Sequence, residues 1–467
     1  MEEIAQSASA QPQENRMGTQ PVGRLLFSMA VPLALSMLIQ ALYNVVDSIF
    51  VAQLSEEALT AVSLASPMNM LMIAFGVGTS VGVNSLISRR LGAKRFEEAN
   101  AAAVNGLFVM LLTGLAFLLF GLFGAGPFIR AYTPDPEIAE MGTAYLRICS
   151  MFSVGIFMSL CCERIMQAQG KPIYSMIMQL VGAVTNLILD PILIFGLFGM
   201  PALGVRGAAI ATVIGQWVCM AFCFIIIAGK KNDLKITLKK FRPSGRIIRD
   251  IYAVGAPSII MQGIGTVLGI CMNAILIGFS ATAVAVFGAY FKVQSFVIMP
   301  MMGLMNASMS IEAYSFGARN RIRLMHTLRL SLIAGVIMMC VGTGLVWLFS
   351  REIMMLFKAS ETMSAMGVAA LRTMSACLPI AAINVGVSIV YQAVGRGVYS
   401  MILSLLRQIV VLLPAAWLLA RFVGEVNAVW YSFPLAEAAA LFISLAFLLR
   451  VYRRHIKPLS ADLLSVP

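Results

Sequence analysis

The chain has 467 residues, 60% of them A, V, I, L, M, F, W, Y or C and only 12% charged. That composition excludes a soluble domain with a polar exterior, so lipid must solvate most of the molecule. The net charge of +13 would suit nucleic acid, but the basic residues cluster in loops that alternate along the chain, as membrane topology dictates, and no nucleic-acid partner is expected.

Residues 1–22 are polar, lack the basic and apolar regions of a secretory signal, and read as a disordered cytoplasmic tail. Twelve apolar runs follow, at about 24–53, 59–87, 101–125, 144–168, 173–197, 207–229, 251–279, 283–312, 327–350, 367–393, 399–421 and 428–449. Each is long enough for a helix to cross roughly 30 Å of hydrocarbon. Alternating ten-residue segments are missing, which favours helices over a membrane barrel. With the N-terminus inside, the inner segments carry 22 Lys and Arg and the outer ones seven, which puts both termini in the cytoplasm. The tail 451–467 is then cytoplasmic too.

The stretch MQAQGKPIYSMI at Met166 returns as YQAVGRGVYSMI at Tyr391, with seven identities in twelve positions. Pro32 and Pro257, Gly78 and Gly303, and LGAK and FGAR are separated by the same offset. One offset over the whole length marks a duplicated unit. Six spans per unit return the chain to its starting side, so the halves are parallel repeats about an axis along the membrane normal. The expected fold is an all-α membrane protein of two six-helix lobes, 23–229 and 251–450, around a central cleft, joined by a basic cytoplasmic linker over 230–250.

Residues that break the repeat are the informative ones. Asp47 maps onto Met272 and Asp190 onto Ala415, so one lobe alone has these two intramembrane acids. Gln40, Tyr43, Asn44 and Asp47 share one face of the first helix, and Gln179, Gly182, Asn186 and Asp190 share one face of the fifth. Pro191 cannot donate to the carbonyl of Leu187, which adds a free oxygen beside the second stripe. An isolated ionised carboxylate in the membrane costs several kcal/mol or more, so each acid must be protonated, paired with a cation or wet. At a helical rise of about 1.5 Å per residue, both acids lie at similar heights in the outer half and could share one cavity. We read them as a switchable cation or proton site. The alternative is a permanent ion pair, for which Arg164, Lys292 and Arg407 are available.

Gln262 and Asn273 on the seventh span and Lys292 and Gln294 on the eighth are further candidates to line the cleft. Glu163, Arg164 and Glu312 lie near the inner ends of their spans and read as caps or interfacial pairs, and Glu437 and Arg407 as a possible pair within the second lobe. The eight cysteines sit in or beside apolar spans without metal-ligand spacing. No nucleotide-binding or zinc-hydrolase motif is present, so neither an enzyme nor a cofactor is expected.

The chain resembles bacterial multidrug and toxic compound extrusion (MATE) transporters from about Gly23 to Arg450. The resemblance rests on VPLALSMLIQALYNVVDSIFVAQL, SRRLGAK, QAQGKP, NLILDP, GAAIAT and FGAR taken together. It implies export of cationic or amphiphilic compounds driven by inward Na⁺ or H⁺, with no other cofactor. Carried over by position, the family's ion site falls on Asp47, Asn186, Asp190 and Thr212, and its first-helix bend on Pro32. A monomer in the bacterial cytoplasmic (inner) membrane is expected, with the lipid bilayer and small substrates as partners. Members with an acid on the seventh span differ from this chain, which has Gln262, Thr266, Gly269 and Asn273 on that face. Two other readings stay open: a flippase for lipid-linked precursors, and an intramembrane aspartyl hydrolase built on Asp47 and Asp190.

Overall fold

The computed structural model describes residues 15–229, 234, 242–357 and 359–459. Among them there is no β-strand. Ten helices are long and apolar enough to cross a membrane, and two further helix pairs, bent by 47° and 42°, complete twelve spans. In the first lobe these are α1 (Val22–Ala52), α2 (Glu56–Gly92), α3 (Phe96–Phe123), α4 (Pro136–Met151, then Val154–Ala168), α5 (Pro172–Phe195) and α6 (Val205–Ala228). In the second they are α7 (Gly245–Ile277), α8 (Ala281–Gly317), α9 (Arg321–Leu348), α10 (Glu361–Ser375, then Leu378–Ala393), α11 (Gly397–Phe422) and α12 (Ser432–Val451).

The repeat is visible atom by atom. The Ser55 hydroxyl accepts from Ala58 N at the start of α2, and its repeat equivalent Ser280 accepts from Ala283 N at the start of α8. Such a cap satisfies one of the helix's orphan amides. Likewise Ser175 donates to Glu163 O at 2.8 Å and Ser400 to Ser388 O at 2.7 Å. The bent spans α4 and α10 occupy equivalent places. Within α11 the symmetry is broken, because Leu406–Leu412 winds as a π-helix.

Across the lobe boundary α1 packs on α8 and α2 on α7, as a twofold relation requires. Glycines permit the approach. A Cβ on Gly78 would lie 2.6 Å from Ile259 N, and one on Gly303 would overlap Ala34. At the end of the molecule where α2 runs into α3 and α8 into α9, a Cβ on Gly92 would overlap the Tyr314 carbonyl and one on Gly317 the Arg89 carbonyl. Lipid offers no hydrophobic drive for helix pairing, so backbone contact through small residues must supply it. The lobes are therefore shut against each other at this end. The outer surface is apolar, with Phe27, Ile225, Leu348 and Phe442 each about 70% exposed or more.

Three boundaries differ from expectation. The tail expected over 1–22 is ordered from residue 15: Arg16–Thr19 is helical, Met17 is fully buried and Arg323 donates to Gln20 O. Residues 1–14 lie outside the described part. The linker expected over 230–250 gives up its last six residues to α7, which starts at Gly245, and most of the rest is not described. The tail expected from 451 begins as a π-helical turn, Tyr452–Ile456, with Ile456 buried.

Candidate functional site

Four helices of the first lobe surround a cavity of about 140 Å³. Each contributes residues at helical spacing: Gln40 and Tyr43 from α1, Ile156, Ser159, Leu160 and Glu163 from α4, Gln179, Gly182, Ala183 and Asn186 from α5, and Thr212, Gly215, Gln216 and Cys219 from α6. The cavity reaches the surface beside Gln40, whose side chain is exposed. Gly215 lets α5 and α6 touch, since a Cβ there would lie 2.8 Å from Gly182 O. That contact brings Asn186 against Thr212.

Asn186 Nδ2 donates to Asp190 Oδ1 at 3.2 Å and to Thr212 Oγ1 at 3.3 Å, while Thr212 donates to Ala208 O at 3.0 Å. Asn186 and Asp190 are almost fully buried. Asp190 Oδ2, Asn186 Oδ1 and Asp47 Oδ1 are buried oxygens with no hydrogen-bond partner. Asp47 is half-buried on α1 and within electrostatic reach of Asp190, and Tyr43 interacts with both acids and with Thr212. Asn186, Asp190 and Thr212 thus meet, and Asp47 lies within electrostatic reach of them.

Unpartnered buried oxygens are costly, and Asp190 Oδ2 and Asn186 Oδ1 stand beside the Thr212 hydroxyl. Neither acid has an ion pair among the described residues. Arg164 donates instead to Gln167 Oε1 at 3.0 Å and Asn306 Oδ1 at 2.9 Å, and Arg407 to Glu437. Lys292 is exposed and makes no ion pair with a described residue. The permanent ion pair open to the sequence is not formed.

Neither Asp47 nor Asp190 lines this cavity; Asn186, which holds Asp190, and Thr212 do. Of the other candidates, Gln40, Tyr43 and Gln179 line the cavity, whereas Gln262, Asn273, Lys292 and Gln294 lie in the second lobe away from it. The Asn44 side chain falls outside the described residues. Pro32 and Pro191 lie inside helices that run on past them.

Glu163, like the fully buried Glu312, has a setting that the sequence misjudges. It is no cap: it is 6% exposed, lines the cavity and accepts from Gln179 Nε2 at 2.8 Å. The available signal is the spacing of Ile156, Ser159, Leu160 and Glu163 along one face of α4. Its neighbour Arg164 does not pair with it but crosses to the other lobe. The Glu437 and Arg407 pair does form, at 2.9 Å.

The MatE family profile matches residues 32–192 and 257–418, once in each lobe. The chain belongs to the MatE family. Two relatives, each a multidrug export protein MepA, come from Staphylococcus haemolyticus (26% identical, covering 95% of this chain and 96% of that protein) and Staphylococcus aureus (25%, 92% and 94%). Among solved structures, a MATE family multidrug resistance transporter in an outward-facing conformation is 26% identical, covers 96% of this chain and 98% of its own, and superposes with a TM-score of 0.89. A MATE solved in bent and in straight conformations matches equally well, at 26% identity and a TM-score of 0.89, over 96% of this chain and 99% of its own. The protein is accordingly a multi-pass membrane transporter of the multidrug efflux type, with the two-lobe MATE architecture, and not an enzyme, which removes the hydrolase reading.

Proposed function

We propose that this MATE protein is a secondary antiporter that expels cationic or amphiphilic compounds across the bacterial cytoplasmic membrane in exchange for inward Na⁺ or H⁺. The observation that carries the reading is the group Asp47, Asn186 and Asp190, each with one buried oxygen that has no hydrogen-bond partner and none with a basic partner among the described residues. Charge placed there must be neutralised by something mobile.

In this scheme the cation or proton enters at Asp47 and Asp190, draws Tyr43, Asn186 and Thr212 toward it, and alters the cavity that those three residues line. α1 would adjust at Pro32, where the helix lacks one backbone hydrogen bond. Coupling follows if ion and substrate differ in affinity for the two lobe arrangements. With the basic loops facing the cytoplasm in this scheme, the closed end is the inner one and the arrangement described is the one that exchanges with the outside. A single copy in the bilayer carries both sites.

Inverted vesicles containing the protein and loaded by a fluorescent organic cation test the scheme, with Na⁺ and pH gradients imposed separately. One of the two gradients is expected to drive uptake. Uptake that ignores both contradicts antiport.

A further inference from the structure

The repeat lets one lobe report on the other. The first-lobe cavity residues Ser159, Gly182 and Thr212 correspond through the repeat to Asn384, Arg407 and Glu437. In the second lobe these three side chains meet: Arg407 Nη1 lies 2.9 Å from Glu437 Oε1, and Asn384 Nδ2 donates to Glu437 Oε2 at 2.8 Å. The π-helical stretch of α11 holds Arg407. The second lobe thus occupies its own version of the space with a guanidinium bound to an amide-anchored carboxylate.

In the first lobe Gly182 supplies no side chain, and the α5–α6 contact leaves none room, since a Cβ there would lie 3.1 Å from Cys219 Cβ. The cavity still contains an acid. Glu163 is buried, its Oε2 is fixed by Gln179, and Gln179 is fixed in turn by Ser36, which donates to its Oε1. This chain of contacts orients the carboxylate without neutralising it. The nearest basic neighbour in sequence, Arg164, turns its guanidinium to Gln167 and Asn306, so its charge reaches Glu163 only from beside it, without a direct ion pair. Glu163 has no ion pair among the described residues.

We propose that Glu163 is the specificity-determining residue of the first-lobe cavity, which takes the amidinium, guanidinium or ammonium head group of an exported compound where the second lobe keeps Arg407. Size agrees with this division. Drug-sized ligands occupy pockets of roughly 300 Å³ or more, whereas about 140 Å³ suits a planar head group, with the body of the compound left in the cleft beyond Gln40. Ile156, Leu160 and Ala183 supply apolar walls around the charge. The assignment rests on the transport reading but not on which ion drives it.

Binding of benzamidine and of its uncharged isostere benzamide to the purified full-length protein, measured calorimetrically without any gradient, tests it. A charge-assisted hydrogen bond contributes enough that benzamidine should bind at least about tenfold more tightly. Glu163→Gln should erase the difference and Glu163→Asp should retain it. Equal binding of the two compounds to the unmodified protein overturns the proposal without recourse to any variant, and so does a preference that survives in folded Glu163→Gln. A protein that passes this test yet ignores both ion gradients would refute antiport alone.

Discussion

Asn186 Nδ2 holds Asp190 Oδ1 at 3.2 Å while its own Oδ1 stays without a partner. The amide therefore fixes one carboxylate oxygen and leaves the other, with its own carbonyl, open to a ligand. Replacing Asn186 by Leu removes both the anchor and one ligand. Hydrogen bonds to a charged group contribute about 1.5–3 kcal/mol, so gradient-driven export should fall by at least about tenfold. Flux in proteoliposomes, read beside thermal unfolding, checks that the loss is one of coupling.

Gly92 and Gly317 let α2 and α8 meet at backbone distance. An alanine at either site forces the lobes apart at the end where α2 and α8 finish. Overpacking of this kind costs about 1–3 kcal/mol, enough to shift a two-state equilibrium by about fivefold or more. Spin labels on the α2–α3 and α8–α9 loops should show longer distances in Gly92→Ala and in Gly317→Ala, and by similar amounts because the sites are related by the repeat.

The second-lobe pair behaves differently from the first-lobe acids because it is complete. Arg407 and Glu437 are 22% and 14% exposed. Arg407→Ala strands Glu437 and should destabilise the protein by about 2 kcal/mol or more. Arg407→Met combined with Glu437→Gln removes both charges and should recover most of that loss in thermal unfolding.

Pro32 interrupts the hydrogen-bond ladder of α1 without ending the helix. Pro32→Ala restores the bond to the Ser28 carbonyl and stiffens the helix. Turnover should drop several-fold while substrate affinity changes little, which initial-rate kinetics in vesicles separates.

Much of this is legible in the sequence. Span count, lobe equivalence and the two acids confined to the first lobe follow from hydropathy and one fixed offset, because membrane burial leaves only helices and duplication copies their register. The contact of Asn186 with Asp190 and Thr212 agrees with the helical spacing of the first two on α5. Glu163 is misjudged because its distance from the span end says how deep it lies and not what stands opposite. What stands opposite depends on Gly182 and Gly215, whose missing side chains let α5 and α6 close up and leave the cavity. The π-helical turn at Arg407 is equally hidden, since no residue type marks a π-helix.

In the proposed scheme, gradient coupling turns on Asp47 and Asp190 holding the driving ion. Purified protein in proteoliposomes, with a Na⁺ or a pH gradient as the sole energy source and a fluorescent cation as cargo, measures this without intermediaries. Asp47→Asn and Asp190→Asn are expected to abolish gradient-driven accumulation while the folded protein still binds the cation. Accumulation at the unmodified rate in either variant would contradict that role.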